Sequence, residues 1–203
     1  KDVSFEIEAG MIYGLIGPNG AGKTSVIRAI ADVLDPTYGE IHINGHNLAD
    51  QPRQALRYLG YMPDFPPLYE DLTLRQFLAI FASAYGVPKA QRSAKIDGLL
   101  EEVDLIDRAD ELCKGMSRGM RQRLFLAKTL ISDPRVLVLD EPASGLDPLA
   151  RRELSSIIRR LGEEGRAVLV SSHILSELRE FCNAVGIMDQ GHMKVSGLLK
   201  DIL

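Results

Sequence analysis

The densest chemistry in the sequence lies at Gly17-Pro18-Asn19-Gly20-Ala21-Gly22-Lys23-Thr24, which fills the phosphate-binding loop pattern at every fixed position. Glycines at these points let backbone N–H groups curl around phosphate oxygens. Lys23 adds a compact positive charge, and the Thr24 hydroxyl suits Mg2+. Ser25 extends the set of phosphate-contacting candidates. A second group, Asp140-Glu141, directly follows Val136-Leu137-Val138-Leu139. Asp140 suits a direct or water-mediated place on Mg2+, and Glu141 can take the proton of an attacking water. Met116-Ser117-Arg118-Gly119-Met120 precedes a helical pattern, which Ser117 can simply cap. The alternative is an anion site built from Ser117 and Gly119 at that helix N-terminus. Because the first loop already holds phosphates within its own chain, this second one would serve a nucleotide on another subunit. His173 closes a strand pattern at 167–171 and by itself reads as a surface or packing residue, as do Ser171 and Ser172.

Such residues must be gathered by strand ends. Residues 11–16 are an apolar run entering Gly17, a buried strand feeding a tight loop. Over 23–33, Val26, Ile27, Ile30 and Val33 repeat at helical spacing. Residues 39–45 alternate between glycines as a short hairpin strand, and 56–62 read as a strand closed by Pro63. From Phe65 the character changes: 73–85 and 91–103 carry apolar stripes, Leu74-Phe77-Leu78-Phe81 and Ile96-Leu99-Leu100-Val103. These define a helical lobe inserted over 65–115. Helices at 121–130, 148–161 and 174–181 then alternate with strands at 136–140 and 167–171, and 185–189 and 192–195 flank a turn at Gln190-Gly191. The pattern predicts an α/β fold: a mostly parallel sheet covered by helices, with antiparallel β structure at its edge.

With 203 residues, 45% hydrophobic and 26% charged, the chain can bury one large core, which excludes global disorder. A net charge of −4 gives no bulk pull on DNA or RNA, so nucleic acid is not expected as a partner. No apolar run approaches the roughly 18 residues that cross a bilayer. Cys113 and Cys182 form no CxxC pair and are expected as reduced thiols in a cytosolic protein. The chain opens Lys1-Asp2-Val3 without Met, and the alternation over 3–8 reads as a strand of a domain whose beginning has been cut off.

Together these segments resemble the ATP-binding subunit of ABC transporters along nearly the whole chain. The order is phosphate-binding loop, a loop at Tyr61-Met62-Pro63-Asp64, helical lobe, signature at Met116 to Met120, carboxylate strand ending in Asp140-Glu141, a loop at Ser144-Gly145-Leu146-Asp147, and a switch histidine at His173. The signature is the specific part, since phosphate-binding loops occur in many NTPases. The resemblance implies one P-loop NTPase domain over 1–203 that binds ATP and Mg2+. Glu141 would be the catalytic base, His173 a γ-phosphate contact, and Thr24, Asp64 and Asp140 the metal set. Ser117 and Gly119 would close on ATP held by a second such subunit, in a homo- or heterodimer. The implied place is the cytoplasmic face of a membrane, through a permease whose cytoplasmic helix would seat in a groove lined by Phe65 and Leu68.

Three departures stand out. The usual Leu-Ser-Gly-Gly-Gln signature is Met-Ser-Arg-Gly-Met, the usual loop glutamine is Asp64, and the adenine-stacking aromatic would precede Lys1. An aspartate can ligate Mg2+ but cannot donate a hydrogen bond. Basic residues in the signature helix together with Asp64 resemble the drug, lipid and ion exporter branch more than nutrient importers. A soluble ATPase of the same class acting on ribosomes or DNA is the alternative. The stretch between Asp64 and Ser117 is far too short for the long coiled coil of the DNA-repair members.

Overall fold

The computed structural model describes residues 3–64 and 66–202. Its strands are β1 (Ile12–Ile16), β2 (His42–Ile43), β3 (His46–Asn47), β4 (Leu59–Met62), β5 (Val136–Leu139), β6 (Ala167–Ser172), β7 (Ala184–Asp189) and β8 (His192–Leu198). Its helices are α1 (Lys23–Ile30), α2 (Pro52–Ala55), α3 (Leu74–Ala84), α4 (Arg92–Glu102), α5 (Arg118–Leu130), α6 (Pro148–Glu163), α7 (Leu175–Leu178) and α8 (Leu199–Ile202).

Six strands form one sheet in the order β4-β5-β6-β1-β7-β8. Neighbours from β4 to β7 run parallel, whereas β8 returns antiparallel to β7. The β2–β3 hairpin is a separate antiparallel pair. Alternation along each strand divides the core between the two faces. Ile12 and Ile16 of β1 join Leu137, Leu139, Val168 and Val170 under the helices α3 to α6. Tyr13 and Leu15 join Val138, Leu169 and Ile27 of α1 on the opposite face. Because β1, β4, β5 and β6 all point the same way, the loops after them emerge along one edge, where open α/β sheets place their ligands.

The stripes of α3 and α4 are buried as the sequence implies, with Leu74, Phe77, Leu78, Leu99 and Leu100 almost fully covered. They pack into the same cluster as Leu124 and Leu126 of α5, so these helices share the core of the sheet face. Thr73 caps α3 in a reciprocal box with Gln76, worth about 1 kcal/mol.

Several expected boundaries move. Residues 3–8 alternate in burial, and Val3, Phe5 and Ile7 pack on the α1-side cluster, but they form no strand, having no ladder partner among the described residues. Helix α1 stops at Ile30, not 33, since Asp32 turns the chain with a φ of 57° and leaves Val33 63% exposed. The strand expected over 39–45 is only β2, and that over 56–62 begins with a 3-10 turn at Leu56–Tyr58 before β4. Helix α5 begins at Arg118, three residues early, because the Ser117 hydroxyl accepts the Met120 N–H at 3.3 Å. The helix at 174–181 is cut to one turn because Phe181 and Cys182 are buried as the chain turns into β7. Leu68 packs partly buried against the main core; Phe65 lies outside the described residues. Cys113 and Cys182 are both buried and free, and burial pushes the Cys182 thiol up to about 12.

Candidate functional site

The loop after β1 wraps tightly. A Cβ on Gly17 would sit 2.3 Å from the Met188 carbonyl oxygen, so only glycine lets the loop pass β7 there. Gly22 holds a φ of 103° and starts α1, whose N-terminus has neither a side-chain cap nor an acidic residue in its first turn. Its leading N–H groups thus remain available to an anion. Lys23 folds back over this loop. Its Nζ donates to the Gly17 carbonyl at 2.7 Å and the Pro18 carbonyl at 3.4 Å, and lies 3.4 Å from Glu141 Oε1.

The second half of the site comes from the ends of β5 and β6. Glu141 adopts a left-handed φ of 49°, a conformation costing about 1–3 kcal/mol for a non-glycine residue. Ser171, the residue sequence reasoning passed over, stabilises that turn. Its Oγ accepts the Glu141 backbone N–H at 2.8 Å and donates to Asp140 Oδ1 at 2.6 Å. One buried hydroxyl therefore fixes the Asp140 carboxylate and the Glu141 backbone together. The only signal in the sequence was a serine at a strand C-terminus. Glu141 Oε2 meets His173 Nδ1 at 2.9 Å, so Lys23, Glu141 and His173 form a continuous chain.

Asn19 to Ser25 line one cleft of about 380 Å3 with Asp64, Glu141, Ser144 and His173. Gly17 and Pro18 form the turn beneath it, holding Lys23 by their carbonyls. Asp140 stands behind the cleft, 2% exposed and bonded through Ser171. Ser117 and Gly119 are not part of this cleft. Ser117 is exposed at the start of α5, and Gly119 packs on α6, where a Cβ would come within 2.6 Å of Ala150 Cβ. The Arg118 guanidinium lies close over Gly145.

Among the described residues no group of three or more His, Cys, Asp and Glu could hold a metal by itself. A hard cation here would draw on hydroxyl and phosphate oxygens as well, the usual Mg2+ pattern. One Asp64 oxygen is buried without a hydrogen-bond partner, which fits a carboxylate awaiting a cation. Burial pushes the Asp64 carboxyl above its ordinary value, and Asp140 and Glu141 push it further, with Arg118 opposing. A raised carboxyl means that the ionised form penalises the fold, fully so above the raised folded pKa and not at all below the unfolded one. Asp64→Asn should therefore raise the melting temperature of the nucleotide-free chain near pH 7. The gain should shrink as pH falls and wild-type Asp64 takes up its proton. A gain that persists or grows at low pH in thermal melts would contradict this.

A doubly covered parallel sheet with such a loop at its C-terminal edge defines a nucleotide-binding P-loop protein. Residues 1–144 match the family described as ABC transporter, and the chain belongs to that family. It is 40% identical over 193 residues to the uncharacterized ABC transporter ATP-binding protein YhcH of Bacillus subtilis (strain 168), covering 95% of this chain and 62% of that protein. It is 36% identical over 195 residues to Nod factor export ATP-binding protein I of Burkholderia lata, covering 96% of this chain and 64% of that protein. The chain thus spans less than two thirds of the length of either relative. A solved ATP binding subunit of an ABC transporter superposes with a TM-score of 0.85 at 37% identity, covering all of this chain and 84% of that one. No described helix is long and apolar enough to cross a membrane.

Proposed function

We propose that the chain binds ATP at Gly17 to Ser25 and hydrolyses it to ADP and orthophosphate to drive transport through a membrane-embedded permease. The observation that carries this reading is the Lys23–Glu141–His173 chain lining one cleft at the C-terminal edge of the sheet. The phosphates take the open N–H groups of α1 and the Lys23 ammonium. Once Lys23 turns to phosphate, Glu141 Oε1 is free to accept the proton of the attacking water. His173 holds the other Glu141 oxygen and reaches the γ-phosphate side of the cleft. Thr24, Asp64 and Asp140 are the residues that would hold Mg2+, which neutralises charge on the phosphates when bound.

Ser117 and Gly119 lie outside the chain's own cleft, which supports their serving the ATP of a second subunit in a homo- or heterodimer. The relative named for Nod factor export supports the drug, lipid or ion exporter reading. In it the chain would lie on the cytoplasmic face as one ATP-binding domain over 1–203, with its helical lobe over 65–115 facing the permease. The net charge of −4 argues against a nucleic-acid partner. Coexpression with the membrane protein of the neighbouring reading frame should bring the chain into vesicles with it and couple ATP turnover to substrate movement. A chain that stays off the vesicles and pellets with ribosomes would contradict the transport reading.

A further inference from the structure

Behind the cleft, an ion pair between a half-buried guanidinium and a buried carboxylate joins the loops that carry Glu141 and His173. Arg151, in the first turns of α6, donates from Nη2 to the Leu146 carbonyl at 3.3 Å and lies 3.1 Å from Glu177 Oε1. Glu177, on α7, is 4% exposed, and its other oxygen accepts from Ser172 Oγ at 2.9 Å. That hydroxyl oxygen accepts the Ile174 N–H at 3.0 Å and so brackets His173 from behind. Leu146 belongs to the stretch that starts at Glu141, runs past the cleft-lining Ser144 and ends at Asp147, the N-cap of α6. The two loops are therefore tied twice: in the cleft by His173 and Glu141, and behind it through Arg151 and Glu177.

Glu177 is buried and Arg151 is 29% exposed, so desolvation of the carboxylate and solvent screening at the guanidinium offset much of their attraction, and such a pair is a poor source of stability. Arg151 Nε is itself buried without a partner, which a pair selected for hydrogen bonding alone would not leave. What the pair does supply is a fixed geometry between two loops.

We propose that Arg151 and Glu177 are positioning residues for the Glu141–His173 pair, setting how the two loops present the carboxylate and the imidazole to the γ-phosphate. The inference rests on the ATPase reading above. It predicts an effect on turnover and not on nucleotide binding, because neither residue lines the cleft.

The test is orthophosphate release from Mg-ATP by the full chain, with ATP affinity by calorimetry and thermal melting measured beside it. Arg151→Met should lower kcat at least tenfold while KM and ATP affinity stay within about threefold, and Arg151→Lys should recover part of the loss. The double variant Arg151→Met/Glu177→Met leaves no unpaired buried charge, so it should melt close to wild type yet keep the low kcat. Turnover at the wild-type rate in the double variant, beside an active wild type, would overturn this inference alone. So would a loss of ATP affinity that parallels the loss of kcat. Absence of turnover in the wild type itself would overturn the ATPase reading and the inference with it.

Discussion

Replacing Glu141 with Gln should slow ATP turnover by about 10²- to 10⁴-fold, the usual cost of losing a general base, while ATP still binds. The substitution keeps the shape of a side chain that is 13% exposed and removes its basicity. The neighbouring Asp140 cannot take over, because it is 2% exposed and already accepts from Ser171 at 2.6 Å. His173 is exposed but approaches the cleft through Glu141, whose carboxylate fixes its Nδ1 at 2.9 Å. The strained left-handed backbone at 141 makes no demand on the carboxylate, so the variant should fold. With hydrolysis blocked, ATP should remain between this cleft and the Ser117 segment of a second chain. Sizing in Mg-ATP should then give a dimer for Glu141→Gln. Wild-type turnover in this variant would place the base elsewhere.

Lys23→Ala should remove ATP binding. Lys23 is 6% exposed and held over the loop by two backbone carbonyls, so its charge is aimed before any phosphate arrives. A hydrogen bond to a charged group contributes about 1.5–3 kcal/mol, which converts to roughly 10- to 150-fold in affinity. In the proposed complex Lys23 would serve several phosphate oxygens, and its loss would also leave Glu141 facing them without its cation. Two negative groups would then meet in one cleft, and binding should fall below what titration calorimetry detects. An affinity unchanged from wild type would remove the phosphate-binding assignment.

How much of this could be read from the sequence depended on whether the information was local. The tight loop between β1 and α1 is fully legible, because each glycine acts through its own backbone and the motif is contiguous. The stripes of α3 and α4 were legible for the same reason, since a helical period is written in neighbouring residues. The alternation over 3–8 misled because burial pattern and strand pairing are separate matters: Phe5 stacks 5.1 Å from Tyr13 without joining a ladder. The partial burial of Leu68 has no local signal, because the core it packs on is gathered from helices distant in sequence. Ser171 and the Arg151–Glu177 pair were invisible, for their partners lie on other elements and no spacing announces them. Asp64 and Arg118, met as unrelated departures from the family motifs, share one electrostatic environment only once the chain is folded.

That one cleft both holds ATP and hydrolyses it is tested most directly by orthophosphate release from Mg-ATP by the unaltered chain, with Lys23→Ala measured beside it. Release should saturate with ATP in the wild type and stay at background in Lys23→Ala. No release from a wild type that demonstrably binds ATP, or equal release from both chains, would contradict it.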